Sequence, residues 1–368
     1  MNDYSGALEE SAEAPLPAMA FTGTWREFLP IALTNLALTV VTLGIYRFWA
    51  KARERRYLWS RTHIVDDSLE WTGTGKEMFV GFLIVMAVLL PALFMLQFGL
   101  QAMVLRGHVA AAIVTGLLLY TLLFYLYHVA RFRALRYQLS RTFWHGIRGG
   151  SDQPGWDYGV QGVWRTALGA GAMGLLMPWA QARLWDKRWN AMSFGPYPFR
   201  ARTEFEPLMK RWLLIYLTPF LAVGLLFGLG IAGAGLGMTF GSGSGTPVAA
   251  AGGIIAALLL SYLAFLLLSL SYKALFYRHA LASTKLASVD FSFNASTRDW
   301  LKLILGNIGL VIVTLGVGLL FISYRNWSFY IRHLEARGFL DFEALTQSEA
   351  RAPNDAEGLA DAFDFGAI

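Results

Sequence analysis

The sequence MFVGFLIVMAVLLPALFMLQFGLQAMVL, residues 78–105, contains no charged side chain. A bilayer core requires about 20 consecutive apolar residues in helical form, so this stretch predicts a membrane-spanning helix. Residues 109–130 form a second apolar stretch directly after it, and residues 212–237 and 249–276 form another such pair. The four stretches predict two transmembrane helical hairpins.

The composition agrees with a chain that exposes much of its surface to lipid. Of the 368 residues, 55% are hydrophobic and 15% are charged, whereas soluble domains carry about 25% charged residues. The absence of cysteine excludes disulfides and thiolate-based metal or redox sites. Acidic residues predominate at both ends, which predicts disordered tails at residues 1–20 and 341–368 around a single membrane domain at residues 21–340.

Three further apolar stretches, residues 28–49, 160–179 and 301–321, share one pattern. The recurring residues of the first stretch are Asn35, Thr42, Leu43, Gly44 and Arg53, and those of the third are Asn307, Thr314, Leu315, Gly316 and Arg325. The middle stretch matches the first less fully and has Arg165 in place of the asparagine. Gly44, Trp49, Ala50, Ala52 and Arg53 recur there as Gly174, Trp179, Ala180, Ala182 and Arg183. These similarities predict internal repeats near residues 21–75, 151–205 and 284–335.

A second pattern predicts short β-strands. Two apolar residues, separated by one position, follow Thr62, Asn190 and Thr284 at the same two offsets. They are Leu69 and Trp71, Tyr197 and Phe199, and Phe291 and Phe293. Apolar residues at every second position are typical of a strand with one buried face. The segment after Thr142 lacks the aromatic residues. We expect a small cytoplasmic β element beside an otherwise all-α membrane fold, although amphipathic loops at the membrane surface would give the same pattern.

These motifs resemble the YjgN family of bacterial inner-membrane proteins. The resemblance lies in TLGIYRFWAKARERRY, residues 42–57, in WTGTG, residues 71–75, and in RHALAST, residues 278–284, which leads to Phe293. It covers roughly residues 20–340. It implies a multi-pass protein of a bacterial inner membrane. It implies no particular activity, because the family is one of unknown function.

Two topologies fit the apolar stretches. If all seven stretches span the membrane, the basic residues divide almost evenly between its two sides, and successive units are inverted as in many secondary transporters. If only the two hairpins span, and the three repeated stretches enter and return, nearly every basic residue lies on one side. Lysine and arginine concentrate in cytoplasmic loops, so charge favours the second topology, whereas the length of the three stretches favours the first. We favour the second.

Polar residues inside the repeated stretches form one candidate site. Polar groups within a membrane are costly and often functional, and a glycine break exposes backbone carbonyls that can line a cavity. The candidate intramembrane polar site comprises Asn35, Asn307, Thr42, Gly44, Thr314 and Gly316. The competing interpretation, which we favour, is that the asparagines form interhelical hydrogen bonds that fix the packing.

Basic and aromatic residues form a second candidate site. It comprises Trp49, Arg53, Arg56, Tyr57, Trp179, Arg183 and Arg325. Aromatic residues belong at the headgroup level and basic residues attract anionic lipid. These residues therefore predict an interface anchor, and the more specific alternative is a binding site for anionic lipid. We expect no nucleic-acid partner, because membrane topology already explains the basic residues.

No enzymatic chemistry is expected. The sequence has no phosphate-binding loop, dinucleotide fingerprint, metalloprotease helix or nucleophile elbow. None of the six histidines stands three or four residues from another, so we expect neither a metal nor a cofactor. Two hypotheses remain: a transporter or channel for an unidentified solute, and a non-enzymatic membrane or envelope protein that binds anionic lipid or a partner protein.

Overall fold

The computed structural model describes residues 19–240, 247–338, 346–348 and 350. In this part of the chain, pairs of helices alternate with short strands. The helices are α1 (Trp25–Val41), α2 (Arg47–Ser60), α3 (Gly75–Phe94), α4 (Leu100–Leu105), α5 (Val109–Arg141), α6 (Trp156–Gly171), α7 (Met177–Trp189), α8 (Glu206–Phe240), α9 (Pro247–Ala282), α10 (Thr297–Val313) and α11 (Ile322–His333). A π-helical turn, Met95–Gly99, joins α3 to α4, and a 3-10 turn, Val317–Phe321, precedes α11.

The strands form antiparallel sheets in which chain neighbours pair. They are β1 (Met19–Phe21), β2 (Thr62–Ile64), β3 (Asp67–Ser68), β4 (Glu70–Trp71), β5 (Thr142–Trp144), β6 (Ile147–Gly150), β7 (Ser193–Phe194), β8 (Tyr197–Ala201), β9 (Thr284–Leu286), β10 (Val289–Phe293) and β11 (Leu334–Arg337). β4 to β11 make an eight-stranded sheet in chain order, and β1, β2 and β3 make a three-stranded sheet. β1 and β11 lie next to each other.

Strand pairing fixes the direction of every helix pair. The strands that flank α1 and α2 pair with each other, with Phe21 opposite Thr62. The same holds around α6 and α7, where β6 pairs with β7, and around α10 and α11, where β10 pairs with β11. The long pairs follow the same rule, since β4 pairs with β5 and β8 with β9. Each helix pair therefore leaves the sheet and returns to it.

Helix length divides these pairs into two kinds. Four helical segments are long and apolar enough to cross a membrane: Gly75–Leu105, Val109–Arg141, Glu206–Gly228 and Ile254–Ala282. The first has 31 residues, or about 46 Å at 1.5 Å per residue. By contrast, α1 has 17 residues, or about 25 Å, which is less than a hydrocarbon core of about 30 Å. The structure thus contains two long hairpins and three short pairs that return to their sheets.

The entry into α1 and α3 is set by the same local sequence. In Phe21-Thr-Gly-Thr and Trp71-Thr-Gly-Thr, the last threonine caps the helix: Thr24 Oγ1 accepts the Glu27 N–H at 3.4 Å and Thr74 Oγ1 accepts the Glu77 N–H at 3.3 Å. The aromatic ring folds back over the glycine, where a Cβ atom on Gly23 would lie 2.6 Å from the Phe21 ring. The glycine is therefore needed for this close approach.

The prediction of an all-α fold with a small β element is wrong about the size of the β element, because the larger sheet has eight strands. The segment after Thr142, which lacks the aromatic pattern, nevertheless forms β5 and β6. Backbone pairing does not require the aromatic residues, and the turn between the two strands places His145 and Gly146 in the left-handed region. The predicted sheet itself is confirmed as an antiparallel structure.

The predicted tails lie mostly outside the described residues. Met19 and Ala20, assigned to the N-terminal tail, already belong to β1. Three residues assigned to the C-terminal tail, Gln347, Ser348 and Ala350, lie against the β5–β6 hairpin. The Gln347 amide donates to the Gly146 carbonyl at 2.9 Å and accepts the Arg148 N–H at 3.2 Å. The rest of both predicted tails lies outside the described residues.

Candidate membrane-interface site

The three short helix pairs turn through the same backbone conformation. Leu43 and Gly44 lie in the left-handed region, with φ of 51° and 91°. So do Met173 and Gly174, and Leu315 and Gly316. Thr42 Oγ1 donates to the Leu38 carbonyl at 2.8 Å and accepts the Tyr46 N–H at 2.9 Å, and Thr314 repeats both bonds with Leu310 and Gly318. The Thr-Leu-Gly motif therefore builds a tight turn between two helices.

The tips of these turns are apolar and exposed. The exposed fraction is 94% for both Leu43 and Leu315, and 73% for Met173. The residues just before the tips, Val41 and Val313, are also exposed. A soluble protein rarely leaves such patches uncovered, so these tips are suited to lipid contact.

The predicted intramembrane asparagines bind within their own helix pairs. Asn35, on α1, is buried and its amide donates to the Ala50 carbonyl of α2 at 3.2 Å. Asn307, on α10, accepts the Arg325 Nε–H at 2.7 Å and donates to Asn326 Oδ1 at 3.1 Å, both on α11. These bonds tie each short pair together. Each asparagine lies in the same short pair as its Thr-Leu-Gly turn, and its hydrogen bonds stay within that pair.

Arg165 takes the place of the asparagine in the middle pair. Its guanidinium donates to the Arg183 carbonyl at 2.9 Å, from α6 to α7. Its pKa is lowered from the ordinary value, chiefly by burial and next by the Arg183 charge. Asn35, Arg165 and Asn307 thus each connect the two helices of their own short pair, although their partners differ.

The predicted basic-aromatic residues are spread around the molecule rather than gathered into one pocket. Trp49 packs on Phe79 of α3, with ring centroids 5.7 Å apart. Trp179 packs edge-on against Trp164, with ring centroids 6.0 Å apart. Arg53 and Arg56 are exposed, whereas Arg183 pairs with Asp186 at 3.3 Å.

Tyr57, a member of the same predicted cluster, has a structural contact. Its hydroxyl donates to the Thr24 carbonyl at 2.9 Å and accepts the Thr24 N–H at 3.1 Å, which anchors the start of α1 to α2. Burial and the neighbouring Glu27 carboxylate raise its pKa to about 12. The hydroxyl therefore stays protonated at physiological pH and keeps this anchor.

The sequence did not reveal three tryptophan–threonine bonds that join separate helix pairs. The indole N–H of Trp59 donates to Thr142 Oγ1 at 2.9 Å, that of Trp185 to Thr284 Oγ1 at 3.1 Å, and that of Trp327 to Thr62 Oγ1 at 2.9 Å. Each threonine stands where a helix gives way to a strand. The third bond joins the last helix pair to the first.

Trp59 and Trp327 also stack on each other, with ring centroids 4.1 Å apart and an interplanar angle of 21°. Tyr324, one turn earlier on α11, donates from its hydroxyl to the Gly23 carbonyl at 2.9 Å. These contacts bring the end of the chain against its beginning. Successive helix pairs are neighbours and the last pair contacts the first, so the pairs form a ring.

Open grooves lie along the sheet beside the middle pair. One, of about 400 Å³, is lined by residues of β8 and β9 together with Asn190. Another, of about 640 Å³, is lined by Arg183, Arg202, Thr203, Glu204, Glu206 and Pro207. The second groove carries both signs of charge. Among the described residues, no group of three or more histidine, aspartate or glutamate side chains has the arrangement of a metal site.

The fold and these contacts define a class: an integral membrane protein whose helical hairpins are rooted in two adjoining antiparallel sheets. The chain belongs to a family described as bacterial proteins of unknown function (DUF898), whose model matches residues 17–362. The resemblance to the YjgN family is confirmed by its relatives. The chain is 27% identical over 132 residues to inner membrane protein YjgN of Salmonella typhimurium, which covers 36% of this chain and 30% of the relative.

A second relative gives the same result. The chain is 32% identical over 71 residues to inner membrane protein YjgN of Escherichia coli K12, which covers 19% of this chain and 18% of the relative. The matched segments thus span less than a third of the length of either relative. No solved structure matches the chain. Together with the four membrane-length helices, these relatives confirm the predicted location in the bacterial inner membrane.

Proposed function

We propose that this chain is a non-enzymatic membrane protein that inserts three short helix pairs into the cytoplasmic leaflet and binds anionic phospholipid there. The observation that carries the proposal is that the two strands flanking each short helix pair are hydrogen-bonded to each other, so the pair returns to the place it left, and that the tips of these pairs are apolar. A pair that is too short to cross, and that ends in exposed leucine and valine, fits a position within one leaflet.

Charge supports a cytoplasmic position for the strands. Among the described residues, Arg106 is the one lysine or arginine at the far end of a long helix pair. The others belong to the short pairs, to the strands, or to the sheet-side ends of the long helices. Because lysine and arginine are concentrated on the cytoplasmic side, the sheet belongs in the cytoplasm. Basic residues near that surface attract anionic headgroups.

The absence of cysteine makes this topology directly testable. Single-cysteine variants at Ser60, His108 and Leu43 report the sheet side, the far end of the first long pair, and the tip of the first short pair. Vesicles of both orientations are treated with a membrane-impermeant maleimide. We expect Ser60→Cys to react only in inside-out vesicles and His108→Cys only in right-side-out vesicles. Leu43→Cys should react in neither until detergent is added, because lipid covers the tip.

Reaction of Leu43→Cys from the periplasmic side would contradict the proposed topology, since the first apolar stretch would then cross the membrane. Leu315→Cys repeats the measurement in the third short pair. A reporter fused between Thr203 and Lys210 gives an independent readout, and a periplasmic signal there would have the same meaning.

Lipid preference is tested by thermal unfolding of the purified full-length chain in micelles that contain phosphatidylglycerol or phosphatidylcholine. A ligand that binds only the folded state stabilises it by about 2.7 kcal/mol at one hundred times its dissociation constant. We expect the melting temperature to rise with phosphatidylglycerol and much less with phosphatidylcholine. Equal responses to the two lipids would refute the anionic-lipid function.

Transport is the second candidate, and one observation favours it. A π-helical turn, Met95–Gly99, follows Pro91 in the first long pair, and such turns are frequent at functional sites. The two asparagines that suggested a pore instead hydrogen-bond within their own pairs. The test is solute flux in proteoliposomes for the Asn35→Ala, Asn307→Ala double variant. Unchanged flux in a folded variant would remove the role of these asparagines in a pore.

A further inference from the structure

Arg188, in the last turn of α7, is a buried charge that the fold itself does not explain. Its exposed fraction is 4%. Its Nε atom has no hydrogen-bond partner among the described residues, and it forms no ion pair with a described carboxylate. The Arg188 guanidinium makes a cation–π contact with the Trp185 ring, whose centroid is 5.5 Å away. Burying a charge without a counter-charge is strongly unfavourable.

The other short pairs show that this position does not need a charge. Arg183, Arg53 and Arg325 are matching residues of the three short pairs. At the offset that separates Arg188 from Arg183, the other two pairs have Leu58 and Tyr330. Leu58 is buried in the core. An apolar residue therefore fills the same place in a related helix pair, and Arg188 is an unfavourable choice unless something binds it.

The charge of a second arginine, Arg131 of α5, acts on Arg188. Phe132, next to Arg131 on α5, packs on Tyr158 of α6, with ring centroids 5.4 Å apart. Asp157, before Tyr158, pairs with Lys187 of α7 at 2.7 Å. These contacts pack α5 against α6 and join α6 to the last turn of α7, where Arg188 lies. Burial lowers the pKa of Arg188, and the charge of Arg131 lowers it further.

α9 completes the arrangement. Trp185 packs edge-on against Tyr277 of α9, with ring centroids 6.4 Å apart. Tyr277 interacts electrostatically with both Arg188 and Arg131. Helices α5, α6, α7 and α9 thus pack together beside Arg188, and Arg131, Tyr158 and Tyr277 lie close enough to influence its charge.

The nearby carboxylates are already engaged. Asp157 binds Lys187. One oxygen of Asp186 binds Arg183 at 3.3 Å, and the other accepts the Thr203 N–H at 2.8 Å. Among the described residues, the two arginines therefore face no free acidic group that would neutralise them.

We propose that Arg188 and Arg131, with Tyr158 and Tyr277, form a binding site for one phosphate group. Guanidinium groups bind phosphate in a bidentate manner, and tyrosine hydroxyls supply further donors. Both a phospholipid headgroup and free inorganic phosphate carry this group. This inference deepens the proposed lipid binding and rests on it for the choice of the headgroup as the natural ligand.

The test compares Arg188→Leu with Arg106→Leu in the full-length chain. The first substitution copies the residue found at Leu58, and the second removes an exposed arginine at the far end of a long pair. Melting temperatures are recorded in micelles titrated with phosphatidylglycerol, phosphatidylcholine or inorganic phosphate. We expect Arg188→Leu to unfold at the same temperature as the natural chain, or higher, without ligand. We expect its apparent affinity for phosphatidylglycerol to fall roughly tenfold or more, since a charged hydrogen bond is lost.

Arg106→Leu should keep the full response to phosphatidylglycerol. If the natural chain prefers phosphatidylglycerol and Arg188→Leu keeps that preference, the phosphate site is refuted while the proposed lipid function stands. If inorganic phosphate alone stabilises the natural chain and Arg188→Leu loses that effect, the site stands and the lipid function fails. If Arg188→Leu does not fold, Arg131→Gln decides by the same titrations, and an unchanged response there refutes the site.

Discussion

The bond between Trp327 and Thr62 closes the ring of helix pairs, and its removal should have a measurable cost. Trp327→Phe deletes a buried indole–hydroxyl hydrogen bond, which contributes about 0.5–1.5 kcal/mol. It also weakens the stacking on Trp59, and aromatic pairs contribute about 0.5–1.5 kcal/mol beyond buried area. We therefore expect the free energy of unfolding to fall by about 1–3 kcal/mol.

Thr62→Val removes the acceptor and preserves the shape of the side chain. Thr62 is fully buried, so the Trp327 indole loses its partner in a place that water does not reach. An unsatisfied buried donor costs about 1–3 kcal/mol. In the double variant the shared bond is lost only once. The sum of the losses in free energy of unfolding in the two single variants should therefore exceed the loss in the double variant by about 1 kcal/mol.

The assay is reversible unfolding in mixed micelles, followed by circular dichroism. Trp164→Phe is the matched control, because its indole also donates at 2.9 Å, but to Gln161 on the same helix. Trp164 is 44% exposed, so we expect a change within about 0.5 kcal/mol. Additive effects of Trp327→Phe and Thr62→Val, within about 0.3 kcal/mol, would refute the reasoning that this bond closes the ring.

Two further predictions concern the middle helix pair. Gly162→Ala should destabilise the chain by about 1–3 kcal/mol, because a Cβ atom there overlaps the His128 ring; Gly171→Ala, where the Cβ meets no atom within 4 Å, is the control and should be neutral or stabilising. The Lys187 ammonium lowers the pKa of Asp157. The ion pair between Asp157 and Lys187 therefore stabilises the folded state above the ordinary aspartate pKa, and this stabilisation is lost as the pH falls. Asp157→Asn should lower the melting temperature at pH 7, and a penalty that persisted near pH 3 would contradict this.

The long helices could be predicted because their signal is local. An uninterrupted apolar stretch such as residues 78–105 is sufficient evidence for a helix of membrane length. The strands could be predicted in part from the alternate apolar residues after Thr62 and Thr284. The eight-stranded extent could not, because β5 and β6 pair through backbone atoms and carry no alternating aromatic residues.

The turns of the short pairs were harder to recognise. Turns usually contain polar residues, because they lie in water. Here the turn at Leu43 and the following Gly44 is flanked by valine and isoleucine, so the apolar stretch continues through it. A turn that lies in lipid has no reason to be polar. The one local signal is the Thr-Leu-Gly motif.

The tryptophan–threonine bonds had no usable spacing signal. Trp185 and Trp327 occupy matching positions in their helix pairs, but the residue that matches them in the first pair is Arg55. The first pair instead uses Trp59, one helical turn later. The contact recurs although the position does not, so a comparison of the repeated segments does not find it. The acceptors are also far away in the sequence.

The orientation of the short pairs bears on the kind of function this fold can serve. Transporters built from inverted repeats alternate between two states because their halves face opposite sides of the membrane. Here the strands that flank each short pair are hydrogen-bonded to each other, so each pair leaves its sheet and returns to it on the same side. In the proposed topology, their exposed tips reach only part of the way through the bilayer. A ring of such pairs disturbs one leaflet and places arginines at its headgroup level, which is an arrangement suited to holding lipid.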